Sequence, residues 1–561
     1  MPTDLLLDRL VTRRKVEGRA LARFLPAALV CLLVGWLLLF IAYPVVVILA
    51  RSLAAKGGGL TLAHFQTFFG KSYFLRSLAN TLILGTTVTA MVMGLGFALA
   101  YLVTRGPRML RWPLRAVTLA PLIAPPYIFG LALIIVAGRR GFLAQLLGTQ
   151  IPIYGWLGVI LAQVLSFLPV AFLMIENVLQ SLDPNLEDSA CDLGAGELTL
   201  LETIIIPLAS PGLLKAALLT FGLAIADFGN PALLGGNLSF LAPDAFLMIT
   251  GEWNTEMASV ISVVLLVPSL AIFLAQYHWL KGKVYTTVSG DPVAAEERGI
   301  SSWLLALLLA PCLLYAAVVV VSYGVIALGA VTKLVGIDNT FTLEHLFKNV
   351  GLEAIWTSVK VSLLAGGFAG LGGTGLAYLC MRGDVRLRGL LEMITLAGFA
   401  LPGTIMGIGY LLAFNRPPLL LTGTLAILVL NMIARFLAVG LEAGVSKLHQ
   451  IDRSLEEASA DLGAGTLTTF RRIVLPLMSS ACVAGFLFTF MQSMISLSAA
   501  IFLVAPGRLL ASVYIFNRAR EGDMGIACAI SAILIASVAV CLVGLAFLAR
   551  RTGVRIFAAH A

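Results

Sequence analysis

Long apolar stretches alternate with short polar segments along the whole chain, and this alternation is the strongest pattern in the sequence. About 20 consecutive apolar residues are enough for a helix that crosses the hydrocarbon core of a bilayer. The pattern therefore predicts twelve spanning helices, at about 24–50, 77–104, 113–138, 154–181, 211–236, 256–280, 302–330, 353–381, 389–414, 420–447, 480–505 and 524–549.

The composition is that of an integral membrane protein. Of the 561 residues, 59% are hydrophobic and 12% are charged, which excludes a soluble globular fold. The net charge of +9 does not indicate nucleic-acid binding, because the basic residues lie mostly between and beside the apolar stretches. The seven cysteines show no C-x-x-C spacing, so we predict neither a disulfide framework nor a metal site.

An even number of spans places both ends of the chain on one side of the membrane. With the N terminus in the cytoplasm, most Lys and Arg residues outside the spans also lie in the cytoplasm, as the positive-inside rule requires. The predicted regions are a basic N-terminal tail at 1–23, a first repeat at 24–280, a cytoplasmic linker at 281–301, a second repeat at 302–550 and a cytoplasmic C-terminal tail at 551–561.

A short polar motif occurs once in each half of the chain. Its residues are Glu187, Asp188, Ser189, Ala190, Gly194 and Pro207 in the first copy, and Glu456, Glu457, Ala458, Ser459, Gly463 and Pro476 in the second. Corresponding residues are always 269 positions apart, and such a constant offset indicates an internal duplication. The acidic start and the glycine at the end predict a short helix in each copy.

The duplication extends beyond the motif. Leu99-Ala100-Tyr101 recurs as Leu376-Ala377-Tyr378, and Arg105 recurs as Arg382, at an offset of 277. Because each half holds an even number of spans, the two halves have the same orientation and are related by a pseudo-twofold axis along the membrane normal. We expect any path through the membrane to lie between them.

Both copies of the motif resemble the EAA loop of ABC-importer permeases, whose pattern is E-A-A, three residues, Gly, nine residues and I-x-L-P. The resemblance implies the type I importer permease fold, an all-α membrane fold, here with two parallel six-helix repeats in one chain of a bacterial inner membrane. In that family the loop forms a cytoplasmic helix that docks on an ATPase subunit. All twelve motif residues are therefore expected to take part in coupling.

The resemblance also implies partners. These are two ATP-binding cassette ATPase subunits, which hold ATP and magnesium, an extracytoplasmic solute-binding protein and membrane lipid, but no nucleic acid. The chain itself has no G-x-x-x-x-G-K-[ST] phosphate loop, so we predict a transporter without enzymatic activity or a cofactor of its own. The alternative is a secondary transporter driven by an ion gradient, which can also have parallel six-helix repeats but has no reason to keep two docking motifs.

Polar residues inside the later spans of each half are candidates for the path or its gate. A carboxylate at mid-membrane costs about 2.5–3.5 kcal/mol, so Asp227 indicates either a function or a capping role close to the membrane boundary. Gly229 and Pro231 nearby predict an interrupted helix. Arg435 is expected to pair with an acid across helices or to assist an anionic substrate. The candidates are Asp227, Asn230, Arg435, Ser493, Ser496 and Ser498.

Two stretches concern the substrate. Ala226-Asp227-Phe228-Gly229 and the serine-rich stretch at 495–506 are similar to fused permeases of the ferric-iron importer group. This similarity implies ferric iron as the substrate. The group also resembles permeases for phosphonates, sugar phosphates and thiamine, so a phosphonate, a phosphorylated sugar or thiamine are alternative substrates.

Overall fold

A computed structural model of the chain describes residues 31–551 except 56, 140, 280–299, 335–337, 348 and 384–386. The predicted N-terminal tail, the start of the first predicted span, nearly all of the linker and nearly all of the C-terminal tail lie outside the described residues. The boundaries assigned to these regions stay predictions.

Helices make up most of the described chain. Within the described ranges, ten of them are long and apolar enough to cross a bilayer, and counting each of two bent helix pairs as one span gives twelve, the number predicted. Numbered in chain order, spans 1–6 are Cys31–Ser52, Ser72–Arg105, Tyr127–Leu147, Trp156–Gln180, Glu197–Ala226 and Thr255–His278. Spans 7–12 are Ser302–Val331, Val350–Arg382, Arg388–Ala400 with Gly403–Ala413, Leu425–His449, Leu467–Leu477 with Ser479–Ile495, and Met524–Gly544.

Shorter elements connect the spans. The short helices of eight or more residues are Ala63–Gly70, Arg108–Leu119, Pro184–Asp192, Leu241–Thr250, Ser454–Asp461 and Ala511–Glu521. An antiparallel hairpin of Thr332–Leu334 and Asp338–Phe341 follows span 7, although the sequence predicted helices only. In the hairpin, the hydroxyl and the N–H of Thr340 donate to Asp338 and lower the pKa of that carboxyl.

The prediction of one continuous helix at 389–414 is wrong. Span 9 bends by 106° between Arg388–Ala400 and Gly403–Ala413. The bend lies at Pro402, which has no N–H to continue the helix and which disfavours helical backbone in the residue before it. The membrane segment is therefore two short helices with a corner between them.

The predicted helix at 113–138 is also divided, at the corresponding place. Helix Arg108–Leu119 ends, a short 3₁₀ turn follows, and helix Tyr127–Ala137 begins after Pro125 and Pro126. The same physical cause applies, since prolines cannot support a continuous ladder of hydrogen bonds. Both halves thus have a proline-determined break at the same place, directly before span 3 and within span 9.

The interruption predicted near Asp227 is present. Helix Ile206–Ala226 ends just before Asp227, and a new short helix begins at Gly229. Span 11 ends at Ile495, the corresponding position of the second half. The predicted spans 211–236 and 480–505 are therefore too long at their C-terminal ends.

The first span of each half packs against the other half. The hydroxyl of Tyr410 in span 9 donates to the carbonyl of Phe40 in span 1, at 2.7 Å. In the reverse sense, the hydroxyl of Tyr323 in span 7 donates to the carbonyl of Ala120, at 2.8 Å. Leu37 and Ile48 of span 1 belong to the same buried cluster as the second half, and Leu304 and Cys312 of span 7 to that of the first. The halves are interlocked.

Candidate functional site

Both copies of the polar motif form a short helix, as predicted. We call Pro184–Asp192 the first motif helix and Ser454–Asp461 the second. Two residues after each helix lies a glycine, Gly194 or Gly463, with φ of +88° and +81°. Only glycine adopts this left-handed backbone without strain, and it commonly terminates helices in this way.

An aspartate precedes each motif helix, by one residue at Asp183 and by two residues at Asp452. Oδ1 of Asp183 accepts a hydrogen bond from the N–H of Asn185 at 3.0 Å, and Oδ1 of Asp452 accepts one from the N–H of Ser454 at 2.9 Å. The bond from Ser454 lowers the pKa of the Asp452 carboxyl. Each carboxylate satisfies a backbone N–H that the helix leaves free.

A π-helical turn follows each motif helix, at Leu201–Ile205 in the first half and at Phe470–Val474 in the second. Pro207 and Pro476 come directly afterwards, in the first turn of the next helix. The two turns are 269 residues apart, as the motifs are. Since π-helical turns are rare and occur frequently at functional sites, their exact repetition supports a common role for the two segments.

The first glutamate of each motif points towards the spans. Glu187 forms a two-fold ion pair with Arg105 at the end of span 2, with Nη2–Oε1 at 2.6 Å and Nε–Oε2 at 3.2 Å. Glu456 pairs with Arg382 at the end of span 8, with Nε–Oε1 at 3.0 Å, and accepts a hydrogen bond from the hydroxyl of Tyr378 at 3.0 Å. Glu187 and Glu456 thus attach the motif helices to the membrane helices.

The same arginines also bind the span that precedes each motif helix. Nη2 of Arg105 donates to the carbonyl of Leu179 at the end of span 4, at 3.1 Å. Nη2 of Arg382 donates to the carbonyl of Leu448 at the end of span 10, at 3.2 Å. Each arginine therefore joins two spans and a motif helix at one point. In the sequence, Arg105 and Arg382 are recognisable only as repeated residues.

The remaining motif residues divide into exposed and inward-facing positions. Asp188 and Ser189 of the first helix and Glu457 and Ala458 of the second are exposed. Ala190 is partly buried, and Ser459 is buried with its hydroxyl 2.9 Å from that of Thr469. The second residue of each motif, Asp188 or Glu457, is therefore more accessible to a partner than the first.

Three leucines around each motif helix are exposed. They are Leu186, Leu193 and Leu198 in the first half, and Leu455, Leu462 and Leu467 in the second, again 269 residues apart. Leu193 is 90% exposed and Leu462 is 88% exposed. We call these sets the leucine triplets. Sequence reasoning missed them, although the constant offset could have identified them.

Asp227 has the capping role, one of the two possibilities that the sequence left open. Its Oδ1 accepts a hydrogen bond from the N–H of Gly229 at 3.0 Å. Its Oδ2 accepts bonds from the side-chain amides of Gln163 at 3.0 Å and Asn230 at 2.9 Å. Asp227 and Asn230 therefore hold the break of span 5 together, and Gln163 of span 4 is a further member of this cluster.

The candidates of the second half also lie together. Nη1 of Arg435 donates to the hydroxyl of Ser496 at 3.2 Å. A Cβ added to Gly403 would lie 3.1 Å from Nη2 of Arg435 and 2.9 Å from Cβ of Ser498, so Gly403 permits this close approach. Ser493 is buried three residues before Ser496. The expected acidic partner of Arg435 is missing, since within the described part of the chain no carboxylate lies within 4 Å of it.

The break of span 5 and the end of span 11 lie next to each other, where the two halves are in contact. A Cβ added to Gly229 would lie 3.2 Å from a side-chain carbon of Leu497. The hydroxyl of Tyr127 donates to the carbonyl of Ser512 at 2.6 Å, and the hydroxyl of Ser512 donates to the carbonyl of Ser496 at 2.6 Å. The candidate residues of both halves thus lie at one interface.

Comparison with known proteins gives matches along most of the chain. Residues 90–284 and 363–553 each match the family described as binding-protein-dependent transport system inner membrane component. The chain is 32% identical over 510 residues to the ferric transport system permease protein FbpB of Actinobacillus pleuropneumoniae, which covers 88% of this chain and 74% of that protein.

Two further similarities were found. The putative ferric transport system permease protein FbpB 1 of Haemophilus influenzae is 31% identical over 506 residues, which covers 88% of this chain and 80% of that protein. A solved chain of a bacterial ABC transporter involved in the import of the acidic polysaccharide alginate aligns with 49% of this chain and 100% of its own length. Its TM-score is 0.39 and its sequence identity is 16%.

Proposed function

The chain belongs to the family of binding-protein-dependent transport system inner membrane components, and we propose that its motif helices receive two ATP-binding cassette subunits while ferric iron passes between its halves. Family membership favours this hypothesis over a secondary transporter driven by an ion gradient. In the proposed complex both termini are cytoplasmic, and an extracytoplasmic solute-binding protein delivers the substrate. The chain supplies the path, and its partners supply the ATP hydrolysis.

The leucine triplets carry this proposal. A leucine side chain left in water forgoes about 1.5–3 kcal/mol relative to burial. Polar positions between the leucines differ between the two halves, for example Ser189 and Ala458, or Glu197 and Thr466, whereas all three leucines are kept. An apolar surface retained twice, on and directly after the two motif helices, is the kind of surface that a protein partner covers.

The Arg–Glu pairs supply a connection from this surface to the spans. Arg105 contacts Glu187 and Leu179, and Arg382 contacts Glu456 and Leu448. Displacement of a motif helix by a moving ATPase subunit would therefore act on spans 2 and 4, or on spans 8 and 10. Such a connection is suited to rigid-body movement of one half against the other.

Copurification tests the docking surface. We expect Leu193→Glu combined with Leu462→Glu to reduce the amount of bound ATP-binding cassette subunit about tenfold or more. In each variant position a charged side chain replaces the leucine at the centre of the apolar contact. Leu60→Glu is the matched control, since Leu60 is 83% exposed but lies in the predicted outer loop after span 1. Gly194→Asp and Gly463→Asp form a second pair of test variants.

Retention of the ATPase by the double leucine variant, with uptake unchanged, would exclude the leucine triplets as docking surfaces. Uptake that follows a proton or sodium gradient, with no ATPase bound to the wild type, would instead establish the secondary transporter. Loss of the ATPase in the Leu60→Glu control as well would show that the effect is not specific to the motif helices.

The substrate proposal has separate support, because the two relatives described above are named as ferric transport permeases. Proteoliposomes that contain the chain, an ATPase and a solute-binding protein should take up radioactive ferric iron in the presence of ATP. Competing assays would use a phosphonate, a phosphorylated sugar and thiamine. ATP-dependent uptake of one of these compounds without iron uptake would reject ferric iron and leave the coupling proposal intact.

A further inference from the structure

We propose that Arg435 and the beginning of helix Gly403–Ala413 form a binding site for an oxyanion, a phosphate or carboxylate group, in the middle of the membrane. The inference rests on the proposed function only for placing this site in the transport path. It also specifies the substrate class: what passes Arg435 carries negative charge, either as a free anion or as a metal complex with anionic ligands.

Arg435 is a cation with no carboxylate within 4 Å among the residues that the structure describes. It lies near the middle of span 10, which has 25 residues, and the residues on either side of it are buried. Its Nη1 donates to the neutral hydroxyl of Ser496, and its Nε is buried without a partner among the described residues. A charge at this depth costs about 2.5–3.5 kcal/mol, and a guanidinium has five N–H donors to satisfy.

A helix begins at the same place. The bend of span 9 directs the N-terminal end of Gly403–Ala413 towards the guanidinium, so that a Cβ at Gly403 would lie 3.1 Å from Nη2 of Arg435. No side chain of a described residue caps this end, which follows Pro402. Its first N–H groups are free and carry the positive end of the helix dipole. Two positive groups that face each other without an acid between them are suited to hold an anion.

Further polar atoms in this region also lack partners. Both amide atoms of Asn431, one helical turn before Arg435, are buried without a hydrogen bond to any described residue, as are the hydroxyls of Thr404 and Ser493. Each such group costs about 1–3 kcal/mol when it is left unpaired. A bound oxyanion would supply the acceptors that Arg435, Thr404 and the amide of Asn431 require.

The first half does not repeat this arrangement. The offsets place Ser166 at the position of Arg435, and Pro126 at that of Gly403. The hydroxyl of Ser166 donates to the carbonyl of Pro126 at 2.8 Å, so these groups satisfy each other. Asp227, at the position of Ser496, has three donors. The structure therefore assigns one anion site to the chain, in its second half.

The experiment measures binding of inorganic phosphate and of citrate to the full-length chain in lipid nanodiscs, by calorimetry at constant ionic strength with chloride as the reference anion. We expect saturable binding of at least one of these oxyanions to the wild type, weakened about tenfold or more by Arg435→Met and less by Arg435→Lys and Thr404→Val. Arg51→Met is the matched control, because Arg51 lies at the end of span 1, and it should bind as the wild type does.

Absence of oxyanion binding in the wild type, or equal binding in Arg435→Met, overturns the proposal. If Arg435→Met does not yield monodisperse protein, Arg435→Lys and Thr404→Val decide, and unchanged binding in both overturns it as well. ATPase copurification from the same preparations separates the two proposals. Oxyanion binding without an associated ATPase rejects the proposed coupling, whereas an associated ATPase without oxyanion binding rejects only the anion site.

Discussion

At the break of span 5 the ionisable side chain is Asp227, and three hydrogen-bond donors satisfy it. At the matching break of span 11 the residue is Ser496, and the charge comes instead from Arg435, at the position where the first half has Ser166. The motif helices behave in the opposite way, because their caps, glycines, leucine triplets and arginine–glutamate pairs occur in both halves. The duplicated chain has thus kept the surface of the motif helices in both halves and has changed the charged residues of the interior.

The arginine–glutamate pairs and Asp227 should give the largest effects, and the pairs also test how similar the two halves are. Removing one partner of a fully buried pair costs about 3–5 kcal/mol, because the other charge stays buried alone. We expect about 3 kcal/mol for Arg105→Met and less for Arg382→Met, since the side chain of Glu187 is 8% exposed, that of Glu456 is 17% exposed, and Glu456 keeps its bond from Tyr378. Hydrogen exchange of the motif helices measures these losses, and a smaller loss in the first half would contradict the expectation. Adding Glu187→Gln to Arg105→Met should restore part of the stability.

The loss of stability should differ more between the breaks of spans 5 and 11 than between the two motif helices. Asp227→Ala leaves the N–H of Gly229 and the amides of Gln163 and Asn230 without an acceptor, and unpaired buried groups cost about 1–3 kcal/mol each. Allowing for rearrangement, we expect a loss of about 3 kcal/mol. Ser496→Ala removes one bond to Arg435 and should cost about 1 kcal/mol. Thermal unfolding of Asp227→Ala and Ser496→Ala in the same detergent compares these losses. Equal shifts of the unfolding midpoint would contradict the expected difference between the breaks of span 5 and span 11.

The terminating glycines should give an intermediate and equal effect in the two halves. A side chain in left-handed backbone costs about 1–2 kcal/mol, and a Cβ at Gly194 or Gly463 would meet no atom of a described residue within 4 Å. Gly194→Val and Gly463→Val should therefore lose similar stability, measured by hydrogen exchange of the isolated chain. Asparagine tolerates this backbone, so Gly463→Asn is the control and should lose less than Gly463→Val.

The smallest effect concerns the caps. Asp452→Ala and Asp183→Ala should increase exchange only in the first turn of their motif helices. Because the pKa of Asp452 is lowered in the folded chain, its contribution is complete above the usual aspartate value of about 3.9 and is lost as the pH falls through the folded value. Protection of Ser454–Asp461, corrected for intrinsic exchange rates, should stay constant between about pH 7 and 5. A decrease within that range would contradict the role of Asp452 as the acceptor for the N–H of Ser454.

Local features were predictable from the sequence. The length of the apolar stretches indicates the spans, and the glycine and the acidic start of each motif indicate its helix. Asp227 with Gly229 and Pro231 indicates the break of span 5. Each of these depends on residues close together in the chain, where backbone preferences decide the result.

Features that depend on distant residues were not predictable. Arg105 and Glu187 are 82 residues apart, and no local pattern indicates that they pair. Pro402 is visible in the sequence, but the apolar stretch around it has the length of one ordinary span. The sequence therefore predicted one continuous helix and missed the bend of 106°. Among the described residues no acid lies next to Arg435. This depends on residues from several distant parts of the sequence, so the sequence alone left open whether an acid would be present.

The carbonyl of Phe40 and the hydroxyl of Tyr410 that binds it are 370 residues apart. During translation, span 1 therefore enters the bilayer long before span 9 leaves the ribosome. Until then lipid has to cover the surface of span 1 that carries Leu37 and Ile48, and the newly inserted first half is an unfinished structure. Because both halves are in one polypeptide, each ribosome that produces a first half also produces, in the same membrane and at the same place, the second half that completes it.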